Sequence, residues 1–355
     1  THPTTTTHQA WRDKMQRAQR SAHANYAFFF GATNDNLETL RELDPTTTCG
    51  IKIFMGSSTG NMLVDNSDIL EQIFASTPLL IATHCEDTPT IQNNFKRAQE
   101  RYGVDIPIAL HPHIRSEEAC FLSSSRAVEL AKKHGTRLHV LHISTARELS
   151  LFENRPLDQK HITAEACIHH MFFCDEDYAR LGTQIKCNPA IKTKRDRDAI
   201  LNAIRNDVID VIATDHAPHT WEEKQAPYPS APSGLPLIQH SLLSLLEHVQ
   251  RQRLTLEQVV QKTSHRVADL FRIRDRGFIR EGYWADLVLV DPNQTTTVTQ
   301  ENIAYACGWS PFLGHTFPAS IDATIVSGAL AYYEGKLQPK PRGQALTFHA
   351  EPGSA

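Results

Sequence analysis

Apolar residues along the chain fall into short, nearly continuous runs separated by stretches with helical spacing. The runs are Tyr26–Thr33 (YAFFFGAT), Gly50–Gly56 (GIKIFMG), Pro78–Asp87 (PLLIATHCED), Arg137–Thr145 (RLHVLHIST), Ile162–His170 (ITAEACIHH) and Val208–His219 (VIDVIATDHAPH). They are hydrophobic throughout, the pattern of strands buried on both faces of a parallel sheet. Between them the spacing predicts helices over Gln9–His23, Ser67–Ser76, a polar stretch ending near Gly103, and Glu117–His134. Gly135 is suited to end the last of these at C′. Another helix is predicted over Arg195–Asn206, where Ile200, Leu201 and Ile204 share a face. Thr145 followed by Glu148 predicts a capping box that opens a helix. Strands alternating with helices at about 30–40 residue spacing predict βαβ units.

Chemically able side chains stand at the C-terminal ends of several of these strands, where (β/α)8 barrels keep their chemistry. No Gly-x-Gly-x-x-Gly follows a strand and no Walker loop occurs, so neither nucleotide-binding pattern is supported. The predicted fold is α/β, a (β/α)8 TIM-type barrel over residues 1–275. Six strands are visible where a closed barrel needs eight. They are expected to be strands three to eight, the first two preceding residue 1. Two amphipathic helices follow, Leu235–Gln250 and Leu256–Phe271, the second opened by Thr255 with Gln258 three residues on. Past residue 275 the pattern changes. Ala285–Asp291 and Ala323–Tyr333 predict strands of a small β domain over residues 276–355.

Composition narrows the classes. With 355 residues, 40% apolar and 21% charged, the chain can bury a core. A formal charge of −4 leaves no basic excess to neutralise phosphates, so nucleic-acid binding is not its main business. No apolar run approaches the ~18 residues of a membrane helix. Seven scattered cysteines without a CxxC pair read as reduced thiols. The polar start Thr1-His2-Pro3-Thr4 does not read as a signal peptide, and a cytoplasmic location is expected. Histidine is over-represented, with nineteen copies.

Two of those histidines and an aspartate suggest a metal site. His84 closes PLLIATH, His142 closes LHVLH, and Asp215 closes VIATD. Imidazoles and a carboxylate converging at a barrel mouth suit zinc or another borderline divalent ion. Lys52, inside GIKIF, would be repelled by such an ion as an ammonium, but as a carbamate it could bridge two. Read alone, it is an ordinary lysine that snorkels or pairs with an acid. His169 and His170 are expected on opposite faces of a strand, with structural roles. His111 and His113, in a proline-containing loop, read as surface residues.

These segments together resemble the amidohydrolase superfamily, and within it the bacterial dihydroorotases. The resemblance rests on GIKIFMGSSTGN (50–61), THCED (83–87), HVLHIST (139–145), TAEACIHH (163–170), NPAIK (188–192) and IATDHAPH (212–219). YWADLVLVDP (283–292) is similar to the β-sandwich part that such enzymes carry. Hydantoinases, dihydropyrimidinases and allantoinases share the metal site and are the nearest alternatives.

The resemblance implies reversible hydrolysis of dihydroorotate to N-carbamoyl-L-aspartate, with hydroxide generated at two divalent metal ions, zinc foremost. It assigns Lys52 (carboxylated), His84, His142 and Asp215 to the metals, and Asp215 also to acid/base work. Asn188, His219, Ser233 and Gly234 would hold the substrate. Were Lys52 not the bridge, a nearby acid such as Asp65 would be the next candidate. The family's His-x-His motif is absent from these residues and is expected upstream. A non-catalytic scaffold supporting aspartate transcarbamoylase is the second class of reading, and a homodimer is expected. The retained Lys52, His84, His142 and Asp215 argue for the enzyme.

Overall fold

The computed structural model describes residues 3–56, 62–340 and 342–350. At its centre lies a six-stranded parallel sheet: β1 (Phe30–Gly31), β2 (Ile51–Phe54), β3 (Ile81–His84), β4 (Leu138–Val140), β5 (Ile162–Cys167) and β6 (Val211–Ala213). Spatial order follows chain order, as in the wall of a barrel built from successive βαβ units. The architecture is a TIM-barrel-type α/β fold. Each predicted apolar run contains one of these strands. YAFFFGAT contributes least, only Phe30–Gly31 and a lone bridge from Tyr26 to Ala345, because β1 pairs on one side alone.

Local sequence explains the surrounding helices. Helix Ser67–Ser76 is capped by the Asn66 side chain, and helix Glu117–His134 by Ser116. Gly135 ends the latter at φ 69°, a left-handed conformation that costs glycine little. Leu70, Ile73 and Phe74 turn the apolar face of the first helix into the core, where Ile51, Ile53 and Ile81 are fully buried.

Two expected helices differ. Thr145 Oγ1 does accept from Glu148 N at 3.3 Å, but only a 3₁₀ turn, Glu148–Leu151, follows. The Glu148 carboxylate is committed inward, to Ser124 at 2.7 Å and Thr145 at 2.8 Å, and Phe152 then turns extended into the core. The helix expected from Leu235 begins as an α-helix only at Ser241. Leu235 is instead bridged to His216, and Leu237 N donates to His216 Nδ1 at 2.9 Å. The second helix runs continuously from Leu256 to Phe271 with a wide turn at Gln261–His265, and its Thr255–Gln258 box forms as expected.

Beyond Phe271 come β7 (Leu287–Asp291), β8 (Thr296–Thr297), β9 (Thr316–Phe317), β10 (Ser320–Val326), β11 (Ala329–Tyr333) and β12 (Lys336–Leu337). An antiparallel sheet has the order β12-β11-β10-β7, and β8 pairs with β9. Val298, Phe312, Phe317 and Ala319 enter the same apolar cluster as the parallel strands. The segment after β12 returns to the start of the chain, where Gln344 N donates to Asn25 Oδ1 at 3.0 Å. Among the described residues no helix is long and apolar enough to cross a membrane.

Candidate active site

Strand register brings the first candidates together. In β2, Ile51 and Ile53 are fully buried, while Lys52 and Phe54 take the alternate face. Across to β3, Lys52 stands opposite Ala82 and Phe54 opposite His84, so lysine and histidine line the same surface. The Lys52 ammonium lies 4.6 Å from the centre of the Phe54 ring.

His84 and His142 meet at the ends of β3 and β4, with His84 Nδ1 3.0 Å from His142 Nε2. The other nitrogen of His84, Nε2, lies 3.0 Å from Glu86 Oε2, and that oxygen also takes Arg115 Nη1 at 2.5 Å. Burial pushes the Glu86 carboxyl up, but Arg115 and then His84 outweigh it and hold it at about 2. An anionic Glu86 assigns the His84 proton to Nε2 and leaves a lone pair on Nδ1, aimed at His142. Burial lowers the pKa of both imidazoles, with Glu86 opposing at His84 and the His84 charge reinforcing at His142. Both rings are therefore neutral, the form that binds metal. His142 Nδ1 is buried without a hydrogen-bond partner.

Lys52 and Asp215 act on each other electrostatically, and Glu165 acts on both. Burial lowers the Lys52 amine, opposed first by Asp215 and then by Glu165. Burial raises the Asp215 carboxyl, opposed by Lys52 and helped by Glu165. Asp215 is nonetheless exposed. Water reaching the carboxylate makes the upward push smaller than the crowding of protein atoms alone implies. Asp215 and His142 both hold left-handed backbones, at φ 47° and 40°. Each such non-glycine residue stores on the order of 1–3 kcal/mol, a cost concentrated at functional sites.

Three of the expected substrate residues, His219, Ser233 and Gly234, come together. His219 Nε2 lies 3.2 Å from the Ser233 carbonyl oxygen. Gly234 follows at φ 142°, and a Cβ there would stand 2.4 Å from the Ala217 carbonyl oxygen, so only glycine fits. Asn188 keeps a buried Oδ1 with no partner. Lys224 pins this loop from behind: its Nζ donates to the carbonyls of Lys186 (3.1 Å), Pro232 (2.9 Å) and Gly234 (2.9 Å). Lys186 donates to Pro229 at 2.8 Å and to Ala231.

Several expectations need correction. His111 is buried, its Nε2 2.8 Å from the Cys187 carbonyl oxygen and its Nδ1 3.4 Å from Tyr228 Oη; only His113 is at the surface. His169 and His170 are not on a strand. They occupy the helical turn Ile168–Phe172, where strand alternation does not apply, and their ring centres are 4.1 Å apart. Asp65 is exposed and bonded to Asn34, while the acid acting on Lys52 from the sheet is Glu165. Of GIKIFMGSSTGN, residues 57–61 lie outside the described residues.

Glu86, Arg115, Glu165, Lys186 and Lys224 were given no role in the reading of the sequence. Glu165 carried a signal, being an acid in the middle of an apolar strand. Its Oε1 accepts from His142 N at 3.3 Å and its Oε2 lies 3.5 Å from His139 Nε2. The others are brought in by folding from outside the strand runs or from just beyond one.

Comparison with known proteins gives the family of the chain. The chain is 31% identical over 329 residues to a dihydroorotase of Methanosphaera stadtmanae, covering 92% of this chain and 74% of that protein. It is 29% identical over 346 residues to an allantoinase of Desulfitobacterium hafniense, covering 96% and 76%. Among solved structures, an L-hydantoinase (dihydropyrimidinase) from Arthrobacter aurescens superimposes with a TM-score of 0.91 at 25% identity, over 97% of this chain and 78% of that one. Residues 72–331 match the amidohydrolase family, a span that holds His84, His142, Asp215 and the Ser233–Gly234 loop, and the chain belongs to that family.

Proposed function

We propose that the protein is a dihydroorotase, a cyclic amidohydrolase that interconverts dihydroorotate and N-carbamoyl-L-aspartate. The observation that carries the hydrolytic part is the His84–His142 contact, with one nitrogen of each neutral ring facing the other at 3.0 Å. Two nitrogens bound to one tetrahedral ion at about 2.0–2.1 Å stand about 3.3 Å apart, so the pair fits a divalent cation. His84, His142, Lys52 and Asp215 would hold two divalent ions, with zinc the favoured identity. When bound, such ions lower the pKa of water and polarise a carbonyl.

The remaining steps belong to this chain. Asp215 takes a proton from the attacking water and returns it to the departing ring nitrogen, as base and then acid. Its upward-shifted carboxyl suits both roles. Glu86 and Arg115 keep His84 in one tautomer, and Glu165 holds the His142 backbone. The lowered Lys52 amine is easier to convert to a carbamate, because the neutral nitrogen attacks carbon dioxide and then releases a proton. Asn188, His219 and the Ser233–Gly234 backbone would grip the ring.

The choice among cyclic amides is supported by the likeness to the Methanosphaera stadtmanae dihydroorotase and by NPAIK with IATDHAPH. The allantoinase and hydantoinase relatives favour a related ring as the second reading. Full-length protein is expected to hydrolyse dihydroorotate well and dihydrouracil, hydantoin and allantoin poorly. Comparable kcat/KM for dihydrouracil would replace the dihydroorotase assignment with a dihydropyrimidinase one.

A further inference from the structure

We propose that His169, His170 and Cys187 form an additional metal site, thiolate-containing and suited to a zinc-class divalent ion, distinct in its donors from the centre at His84 and His142. One ligand atom from each of the three residues lies within 4.8 Å of the others. All are buried, at 0%, 3% and 2% exposure. The set joins the turn after β5 to the loop that carries Asn188.

The unpaired nitrogens point to a ligand. His170 Nε2 lies 3.0 Å from the Pro189 carbonyl oxygen, which can only accept. The proton is therefore on Nε2, and the lone pair is on Nδ1, which is buried without a partner. A metal-binding imidazole commonly has its other nitrogen donating to a carbonyl in this way, and coordination through Nδ1 would require that nitrogen to be the one turned to Cys187. At His169 neither nitrogen completes a hydrogen bond of good geometry, although the Thr214 backbone is near enough to act on the ring. Leaving a buried polar group unsatisfied is costly, and a coordinated ion would satisfy one nitrogen of each ring. Three such atoms in one place need an explanation that an apolar core histidine does not provide.

Two imidazoles and a thiol match zinc and similar borderline ions better than calcium or magnesium, which take oxygen. On binding, the Cys187 thiol releases its proton to solvent and the sulfur pair forms the bond to metal, giving up its 3.2 Å contact to the Pro189 carbonyl oxygen. Burial, and after it Asp215, pushes the Cys187 thiol up to about 12, with Lys224 and Lys192 opposing, so the bond to the ion itself has to drive the proton off. The consequence for function is positional. Asn188 follows Cys187 directly, so the ion would clamp the segment presenting Asn188 against the strand end after β5.

Cobalt(II) separates this site from the other. None of Lys52, His84, His142 and Asp215 carries a thiolate, so a thiolate-to-cobalt charge-transfer band reports the new site alone. In the full-length protein loaded with cobalt the band is expected, retained in Cys120→Ala and lost in Cys187→Ala. His170→Gln is expected to weaken it. Absence of the band, or its survival in Cys187→Ala, would overturn the proposal whatever the enzyme's substrate is. X-ray absorption of the unmutated zinc-loaded protein decides the matter if variants misfold. A sulfur scatterer at about 2.3 Å is expected, and a shell of only nitrogen and oxygen refutes it.

Discussion

His84 and His142 are 58 positions apart in the chain, yet His84 Nδ1 and His142 Nε2 stand 3.0 Å apart at the mouth of adjacent parallel strands. The contact depends on Glu86, since an anion on the far nitrogen of His84 settles which nitrogen keeps the lone pair. Strand ends supply the histidines, and a buried ion pair with Arg115 supplies their chemistry.

Asp215 is expected to be the proton carrier. Asp215→Asn in the full-length protein should lower kcat by on the order of 10²–10⁴, the span of general acid/base catalysis. Metal content, measured in parallel, is expected to drop as well. Turnover close to that of the unmutated enzyme would remove Asp215 from the mechanism.

Lys52→Ala should lose metal and activity together, because a methyl group cannot bridge two ions. Short carboxylic acids added to the variant should restore part of both by filling the vacated space. A high-resolution map of active, metal-loaded protein with a bare amine at Lys52 would exclude the carbamate. Glu165, which already acts on Lys52, would then be the first acid to examine.

Glu86 couples stability to acid. Its carboxyl lies at about 2 in the folded chain against an ordinary 4.5. A depressed carboxyl stabilises fully above the unfolded value and loses that contribution as pH falls from 4.5 towards 2. The shift corresponds to about 3 kcal/mol. Urea midpoints at neutral and acid pH should show Glu86→Gln destabilised near pH 6, with the gap to the unmutated protein closing as acid protonates Glu86. A gap independent of pH across that window would show that the Glu86 charge does not contribute.

Lys224 should act through the loop that it pins. Lys224→Met strips a donor from three carbonyls; that of Lys186 keeps its bond from Gly234 N, and those of Pro232 and Gly234 cost about 1–3 kcal/mol each if left buried and unpaired. Loss of stability should accompany a raised KM, since Gly234 and Ser233 would no longer be held beside His219. An unchanged KM in a folded variant would mean that the loop keeps its shape without the lysine.

What the sequence determined by itself is local. Unbroken apolar runs such as LLIATH and VIDVIATD demand strands covered on both faces, and their alternation with helices dictates a parallel sheet in chain order. The reactive ends of those strands, at His84, His142 and Asp215, were legible for the same reason: strand and terminal residue are contiguous. Helix Glu117–His134 was legible because its spacing is helical and Gly135 marks its end. Tertiary structure alone decided the partners. Arg115 reaches Glu86 from 29 positions away, His111 is buried by a bond to Cys187 from 76 away, and Lys224 meets Lys186 across 38. No periodicity encodes such pairs, because a buried charge is tolerated only where folding delivers its partner. The same holds for His169, His170 and Cys187. A strand pattern continued three residues too far separates the histidines onto opposite faces, and the turn that the chain actually makes at Ile168 brings both of them towards Cys187.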